Sequence, residues 1–212
     1  MLLYIKIGDE MIENILNIVL TIIVSYLLGS ISFSLVLSML IHKDDIRKYG
    51  SKNAGATNML RTYGWKLALF TVLGDMLKGI AAVVVGNLLI GHNFGGYIAG
   101  LACILGHMFP IFFKFKGGKG VATGAAIVLS VNPTAFFIVF TAFVLCVVIT
   151  KYVSLGSCVG ATAFPLLTII NCPNNFVTIT CAIVIASLII WRHRGNIKRI
   201  VNQTESKITF KK

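Results

Sequence analysis

The chain has 212 residues, of which 57% are hydrophobic and only 12% charged, with a formal net charge of +12. Soluble domains carry about 25% charged residues, so this chain has too little polar surface to cover a water-facing core. The composition excludes an ordinary soluble domain and predicts an integral membrane protein with several spans.

Apolar runs and their punctuation place the spans in order. The first covers residues 12–41, long enough to bend, with Gly29 and Ser30 as the predicted kink. Its acidic flank, its length and the lack of an Ala-x-Ala site argue against a signal peptide. The second covers 65–90 and the third 97–113. The run 121–150 is too long for one span, and Asn132-Pro133 divides it into a short fourth helix and a fifth. The sixth covers 152–170, Asn171 to Asn175 form a turn, and the seventh covers 176–191.

Charge then orients the chain. Of 19 basic residues, 17 lie in four places: residues 43–66, residues 114–119, Lys151, and residues 192–212. The alternate connections near 92–95, 132–133 and 171–175 carry no Lys or Arg, and the N-terminal segment sets Lys6 against Asp9, Glu10 and Glu13. The positive-inside rule puts the basic elements in the cytoplasm and the N-terminus outside. The expected architecture is therefore an all-α integral membrane protein of seven transmembrane helices, with a cytoplasmic C-terminus. It forms one domain, residues 1–212, with cytoplasmic loops at 43–66, 114–120 and 192–205. The net charge is mainly a topology signal that also attracts anionic lipid or substrate, and it gives no reason to invoke nucleic acid. The five cysteines show no CxxC and an odd count, and read as small apolar residues rather than a disulfide or metal set. The tail beyond Ile208 is expected to be disordered.

Chemistry-bearing residues gather in three of the basic elements. The first, Tyr49 to Arg61, holds Ser51, Asn53, Thr57, Asn58 and Arg61 among small residues. It offers donors to an anion and a guanidinium fork for phosphate, although Ser, Asn and Thr also serve as ordinary helix caps. The second is Lys114-Phe115-Lys116-Gly117-Gly118-Lys119-Gly120. It lacks the Walker A order, which disfavours nucleotide triphosphate hydrolysis. Glycines let backbone N–H groups turn inward beside lysine charge, which suits a phosphate, whereas Lys114 and Lys116 need only anchor helix ends. The third is Trp191 to Arg199, followed by Glu205. His193 lies between two arginines and is expected to be neutral near pH 7, able to accept a proton or orient a hydroxyl. Arg192, Arg194, Lys198 and Arg199 read as a basic belt pinning the last helix. Inside the second span, Asp75 and Lys78 are three residues apart and read as an ion pair facing the bundle.

The strings GSKNAGATNMLR, GHMFPIFFKFKGGKGVAT and HRGNIKR with the later glutamate, supported by GSIS and GDMLKG, resemble the bacterial acyl-phosphate-dependent glycerol-3-phosphate acyltransferases over essentially the whole chain. The resemblance implies seven spans in the bacterial inner membrane and transfer of a fatty acyl group from acyl phosphate to the 1-hydroxyl of sn-glycerol 3-phosphate. Lysophosphatidic acid and phosphate would be the products, in the first committed acylation of phospholipid synthesis. It implies phosphate-binding roles for Ser51 and Arg61, with Asn53, Thr57 and Asn58 in the same motif. Lys119 would serve the departing phosphate beside a backbone cradle of Gly117, Gly118 and Gly120. His193 and Asn196 would act in catalysis, supported by Glu205. No cofactor or metal is implied. The implied partners are glycerol 3-phosphate, a long-chain acyl phosphate, membrane lipid and an upstream acyl-phosphate-forming enzyme, with the protein a monomer. The chain departs from the family pattern at Lys52 and Gln203, where glycine is common, and at Ser32, where proline is common.

Neither a GxSxG elbow nor an H-x4-D pair is present, and an acyl phosphate is already activated, so no covalent nucleophile is expected. The proton of the attacking hydroxyl can pass to His193 or to a phosphate oxygen of the substrate, and the sequence leaves both open. A transporter of organic phosphate is the rival class. The external connections lack basic residues and no inverted repeat is evident, which count against it. A structural membrane subunit would leave the three polar elements unexplained.

Overall fold

A computed structural model describes residues 2–92 and 94–208. The tail beyond Ile208 that the sequence marks as disordered lies outside the described residues. Among those residues the regular structure is helical: α1 (Leu2–Ser30), α2 (Phe33–His42), α3 (Ala56–Tyr63), α4 (Trp65–Leu89), α5 (Gly95–Met108), α6 (Val121–Val131), α7 (Pro133–Thr150), α8 (Val153–Asn171), α9 (Phe176–Arg192) and α10 (Arg194–Val201). Short 3-10 turns occur at Ile46–Lys48 and Ile111–Phe113.

The punctuation read from sequence has local causes. Asn132 accepts a hydrogen bond from the Ala135 N–H while Pro133 occupies the first helical position, so α6 ends and α7 starts at one point. Asn175 caps α9 in the same way through the Thr178 N–H. The first span breaks between Ser30 and Phe33 even though Ser32 stands where proline is common. Ser30 donates to the Tyr26 carbonyl, and Lys78 of α4 donates to the carbonyls of Gly29 (2.9 Å) and Ile31 (2.7 Å). The helix ends because its last carbonyls find a cation instead of the next turn. A Cβ on Gly29 would overlap the Cys103 carbonyl, and one on Gly106 the Tyr26 carbonyl, so small residues set the close crossing of α1 and α5.

Five stretches are long and apolar enough to cross a bilayer: Glu10–His42, Trp65–Leu89, Gly95–Phe113, Pro133–Thr150 and Val153–Asn171. Phe176–Arg192 with Arg194–Val201 makes a sixth if its 51° bend is counted within one span. The seven expected segments are all helical, but the count of seven full spans is not reached. The exception is α6, whose 11 residues rise about 16 Å, roughly half of an apolar layer about 30 Å thick. It packs between α4, α5 and α7 rather than spanning alone.

The core lies where α5, α6 and α9 meet, around Ile104, Met108, Ile127 and Ile185. A smaller cluster of Leu35, Ile46, Ala54 and Met59 fixes the connection between α2 and α3. By contrast α7 sits at the rim with Phe137, Ile138, Leu145 and Ile149 exposed, the pattern of a lipid-facing wall. Asp75 and Lys78 pair at 2.9 Å, both nearly fully buried. The contact is a charge pair and not an aligned hydrogen bond, since the Asp75 oxygen has no geometric partner.

Candidate active site

The three polar elements meet around one cavity of about 730 Å³. The first turns of α3, α6 and α8 all lie on its wall, through Ala56, Val121 and Val153. Helix first turns carry unpaired N–H groups and the positive end of the dipole, so three of them on one cavity favour anions. Past this mouth the walls turn apolar, with Val128 of α6, Phe136 and Phe140 of α7, Phe164 of α8 and Ile185 of α9. Polar mouth and apolar cleft are continuous.

The first element is shaped by Asn58, which is buried. Its Oδ1 accepts the Ser51 N–H at 2.9 Å, and its Nδ2 donates to the carbonyls of Ile46 and Tyr49. Those bonds take both of its N–H donors, so Asn58 holds the loop in shape while it lines the cavity together with Ser51, Asn53, Thr57 and Arg61. Arg61 is exposed and makes no hydrogen bond or ion pair among the described residues, leaving its fork available.

In the second element the expected cradle narrows. The N–H groups of Gly117 and Gly118 donate to the carbonyls of Met108 and His107, at 3.1 Å each. Neither glycine lines the cavity, whereas Lys119 and Gly120 do. Their small size serves close packing: a Cβ on Gly117 would overlap the His107 carbonyl, and one on Gly118 the His107 ring and the Ala54 carbonyl. Gly120, at φ +79°, turns the chain into α6.

The third element begins where α9 stops. His193 is buried at the bend into α10, and its Nδ1 lies 2.8 Å from the Ile189 carbonyl. A carbonyl only accepts, so Nδ1 carries the proton and Nε2 keeps its lone pair. Burial, with nearby Lys119 and Arg192, lowers the His193 pKa to about 4, so the ring is neutral. One turn on, Asn196 Oδ1 accepts from Lys119 Nζ at 2.6 Å and its Nδ2 donates to Glu205 at 2.5 Å. The lysine can only donate and the carboxylate only accept, which fixes the amide orientation. Ser154 (3.0 Å) and Arg199 (2.7 Å) also donate to Glu205. Burial raises the Glu205 pKa, but these donors outweigh it and the carboxyl stays below its ordinary value. Burial lowers Lys119 to about 8, with Arg199, Arg192 and Arg61 adding to the effect and Glu205 opposing it.

The family model for glycerol-3-phosphate acyltransferase matches residues 19–203. The chain belongs to the glycerol-3-phosphate acyltransferase family. Relatives include a glycerol-3-phosphate acyltransferase of Thermoanaerobacter pseudethanolicus, 46% identical over 190 residues, covering 90% of this chain and 95% of the relative. Another is that of Clostridioides difficile, 42% identical over 204 residues, covering 94% and 99%. Among solved structures, an integral membrane glycerol 3-phosphate acyltransferase, PlsY, in its glycerol 3-phosphate form superposes with a TM-score of 0.85 at 36% identity, covering 91% of this chain and 96% of that one. Its lysophosphatidic acid form gives 0.81, covering 91% and 95%.

Within this acyltransferase, the two departures from a common glycine fall on left-handed backbone: Lys52 at φ +57° and Gln203 at φ +56°. Such a conformation costs a residue with a Cβ about 1–2 kcal/mol, part of which glycine returns as unfolded-state entropy. Gln203→Gly is expected to stabilise the protein by about 0.5 kcal/mol, read as a higher thermal midpoint in detergent; a lower midpoint contradicts it.

Three residues escaped the sequence reading. His107, buried, has Nδ1 at 3.6 Å from Asp75 and 3.4 Å from Thr123 and lines the cavity. Ser154 holds Glu205. Arg192, expected to be part of a basic belt pinning the last helix, turns inward to the carbonyls of Gly117 and Gly118.

Proposed function

We propose that this protein transfers a fatty acyl group from a long-chain acyl phosphate to the 1-hydroxyl of sn-glycerol 3-phosphate, releasing lysophosphatidic acid and inorganic phosphate. The observation that carries this is the continuity of the cavity: an anion-favouring mouth opens directly into an apolar cleft, as an acyl phosphate requires. Ser51, in the loop before α3, and Arg61, in the last turn of α3, bind the phosphate of glycerol 3-phosphate. Asn53 and Thr57 complete that side. Lys119, Gly120 and the N-terminal N–H groups of α6 receive the acyl phosphate, with its chain in the cleft walled by α7 and α8.

In the reaction the glycerol oxygen attacks the acyl carbon, the bond from that carbon to the phosphate oxygen breaks, and phosphate departs. Lys119, held by Asn196, meets the charge that grows on the leaving group. His193 Nε2 accepts a hydrogen bond from the attacking hydroxyl and aims it. With a conjugate acid near 4, the ring is a poor final proton acceptor. A phosphate oxygen, whose second ionisation lies near 6, takes the proton instead. Glu205 positions Asn196 and Arg199, and Asp75 and Lys78 support the wall behind the mouth. The reaction uses no cofactor and no metal.

The whole chain acts as one membrane domain with its site at 43–66, 114–120 and 192–205. It lies in the bacterial inner membrane with the N-terminus outside and the site facing the cytoplasm. This orientation counts α6 as a crossing completed with its neighbours, and the basic loops support it. The protein works as a monomer, and an acyl-phosphate-forming enzyme supplies the donor. Purified protein in detergent is expected to release phosphate only when both substrates are present. Acyl phosphate consumption without glycerol 3-phosphate, or none with it, overturns the reading. Arg61→Ala is expected to raise the KM for glycerol 3-phosphate about 10²-fold, since a charge-assisted fork is lost. An unchanged KM removes Arg61 from the site.

A further inference from the structure

The glycine-lysine loop is held far more tightly than a ligand-closing loop would be. Its N–H groups are engaged in sequence: Phe115 with the Pro110 carbonyl, Lys116 with Phe113, Gly117 with Met108 and Gly118 with His107. Its carbonyls are engaged by two arginines from different elements. Arg47 Nη1 donates to Phe113 (3.0 Å) and Lys116 (2.8 Å), while its Nη2 pairs with Asp45 at 2.6 Å. Arg192 donates from Nη2 to Gly117 (2.8 Å) and from Nε to Gly118 (3.0 Å). Lys114 and Phe115 are both left-handed, at φ +57° and +58°, a pair of conformations that persists only where surrounding bonds over-determine it. The restraint stops at Gly118, and the next residue is Lys119.

We infer that Arg47 and Arg192 are positioning residues that brace this loop from the α2–α3 connection and the end of α9, so that Lys119 is presented in a fixed place before substrate arrives. Each guanidinium reaches two carbonyls at once, which a lysine cannot reproduce with the same planar geometry. The brace also ties the three separate elements into one frame: α2–α3 connection, loop, and end of α9. The loop therefore meets phosphate as a pre-set surface and does not fold over it. The inference rests on the proposed reaction for its kinetic consequence, but not for its structural one.

The test compares Arg192→Lys and Arg47→Lys with Arg194→Gln, whose side chain lies over the Trp191 ring and is expected to leave turnover unchanged. Both brace variants are expected to lower kcat at least tenfold with KM for both substrates within about threefold, because the site is displaced rather than discharged. Hydrogen exchange at the Gly117 and Gly118 amides, measured without substrate, is expected to quicken at least tenfold while α4 and α5 keep their protection. Guanidinium ion added to Arg192→Ala is expected to restore part of the rate where ammonium does not. Wild-type protection of the two amides in both lysine variants overturns the brace, whatever happens to the rate. Wild-type kcat with quickened exchange overturns its role in turnover. If one variant fails to fold, the other carries both measurements. If wild-type protein releases no phosphate, the reaction is refuted while the exchange result still decides the brace.

Discussion

Lys119→Met is expected to lower kcat by about 10³-fold while the protein keeps its thermal midpoint, because the charge that meets the departing phosphate is gone. Lys119 is half-buried, its only described hydrogen-bond partner is Asn196, and burial, with three arginines adding to it, lowers its pKa to about 8. The ammonium is present below that value and lost above it. Wild-type kcat/KM is therefore expected to fall as the pH rises through about 8 in the free enzyme. Lys119→Arg keeps its charge at every accessible pH, so it is expected to lose that alkaline limb while retaining more rate than Lys119→Met. A limb that survives in Lys119→Arg, or a Lys119→Met rate within threefold of wild type, removes Lys119 from the chemistry.

The second large effect concerns His193. His193→Ala is expected to lower kcat about 10²-fold, because the hydroxyl loses the acceptor that aims it. His193→Gln is expected to recover part of that loss, since an amide oxygen also accepts a hydrogen bond. The pKa of about 4 bears directly on the two routes that the sequence leaves open. A histidine base titrating normally would give a limb near pH 6–7. With the ring neutral throughout that range, any limb at about pH 6 is expected to come from the substrate phosphate and to persist in His193→Gln. A limb at about pH 6–7 that disappears in His193→Gln, with Gln no better than Ala, identifies His193 as the base and refutes proton transfer to phosphate.

How much of this could be read from sequence depended on whether the deciding contact was local. The helix ends at Asn132-Pro133 and Asn175 were legible because capping happens within a few residues. So was the Asp75–Lys78 pair, which one helical turn places together. The kink after Gly29 was placed correctly, but its cause, a lysine 49 positions away, was not visible. The fourth segment, α6, was legible as a short apolar helix, but its packing among α4, α5 and α7 was not, because apolar composition reveals burial and not which medium surrounds it. The cradle was the instructive case. Glycine density in 117–120 suggested inward N–H groups, yet two of those groups are spent on α5 and the glycines make room for His107. Close approach and anion binding leave the same mark in a sequence. Asn58 shows the same limit: its place in a phosphate-binding motif was legible, but its three backbone partners, which shape the loop, were not.

The lysine that caps the break in the first span has a consequence for biogenesis. Until α4 arrives, the carbonyls of Gly29 and Ile31 have no cation to meet, although Lys78 brings Asp75 with it on the same helix. Unpaired backbone groups are costly in lipid. The first span is thus not a finished unit when it leaves the ribosome. It becomes one only after the segment through Leu89 has joined it, so a nascent chain stopped before residue 78 is expected to be retained by the insertion machinery or cleared by membrane proteases.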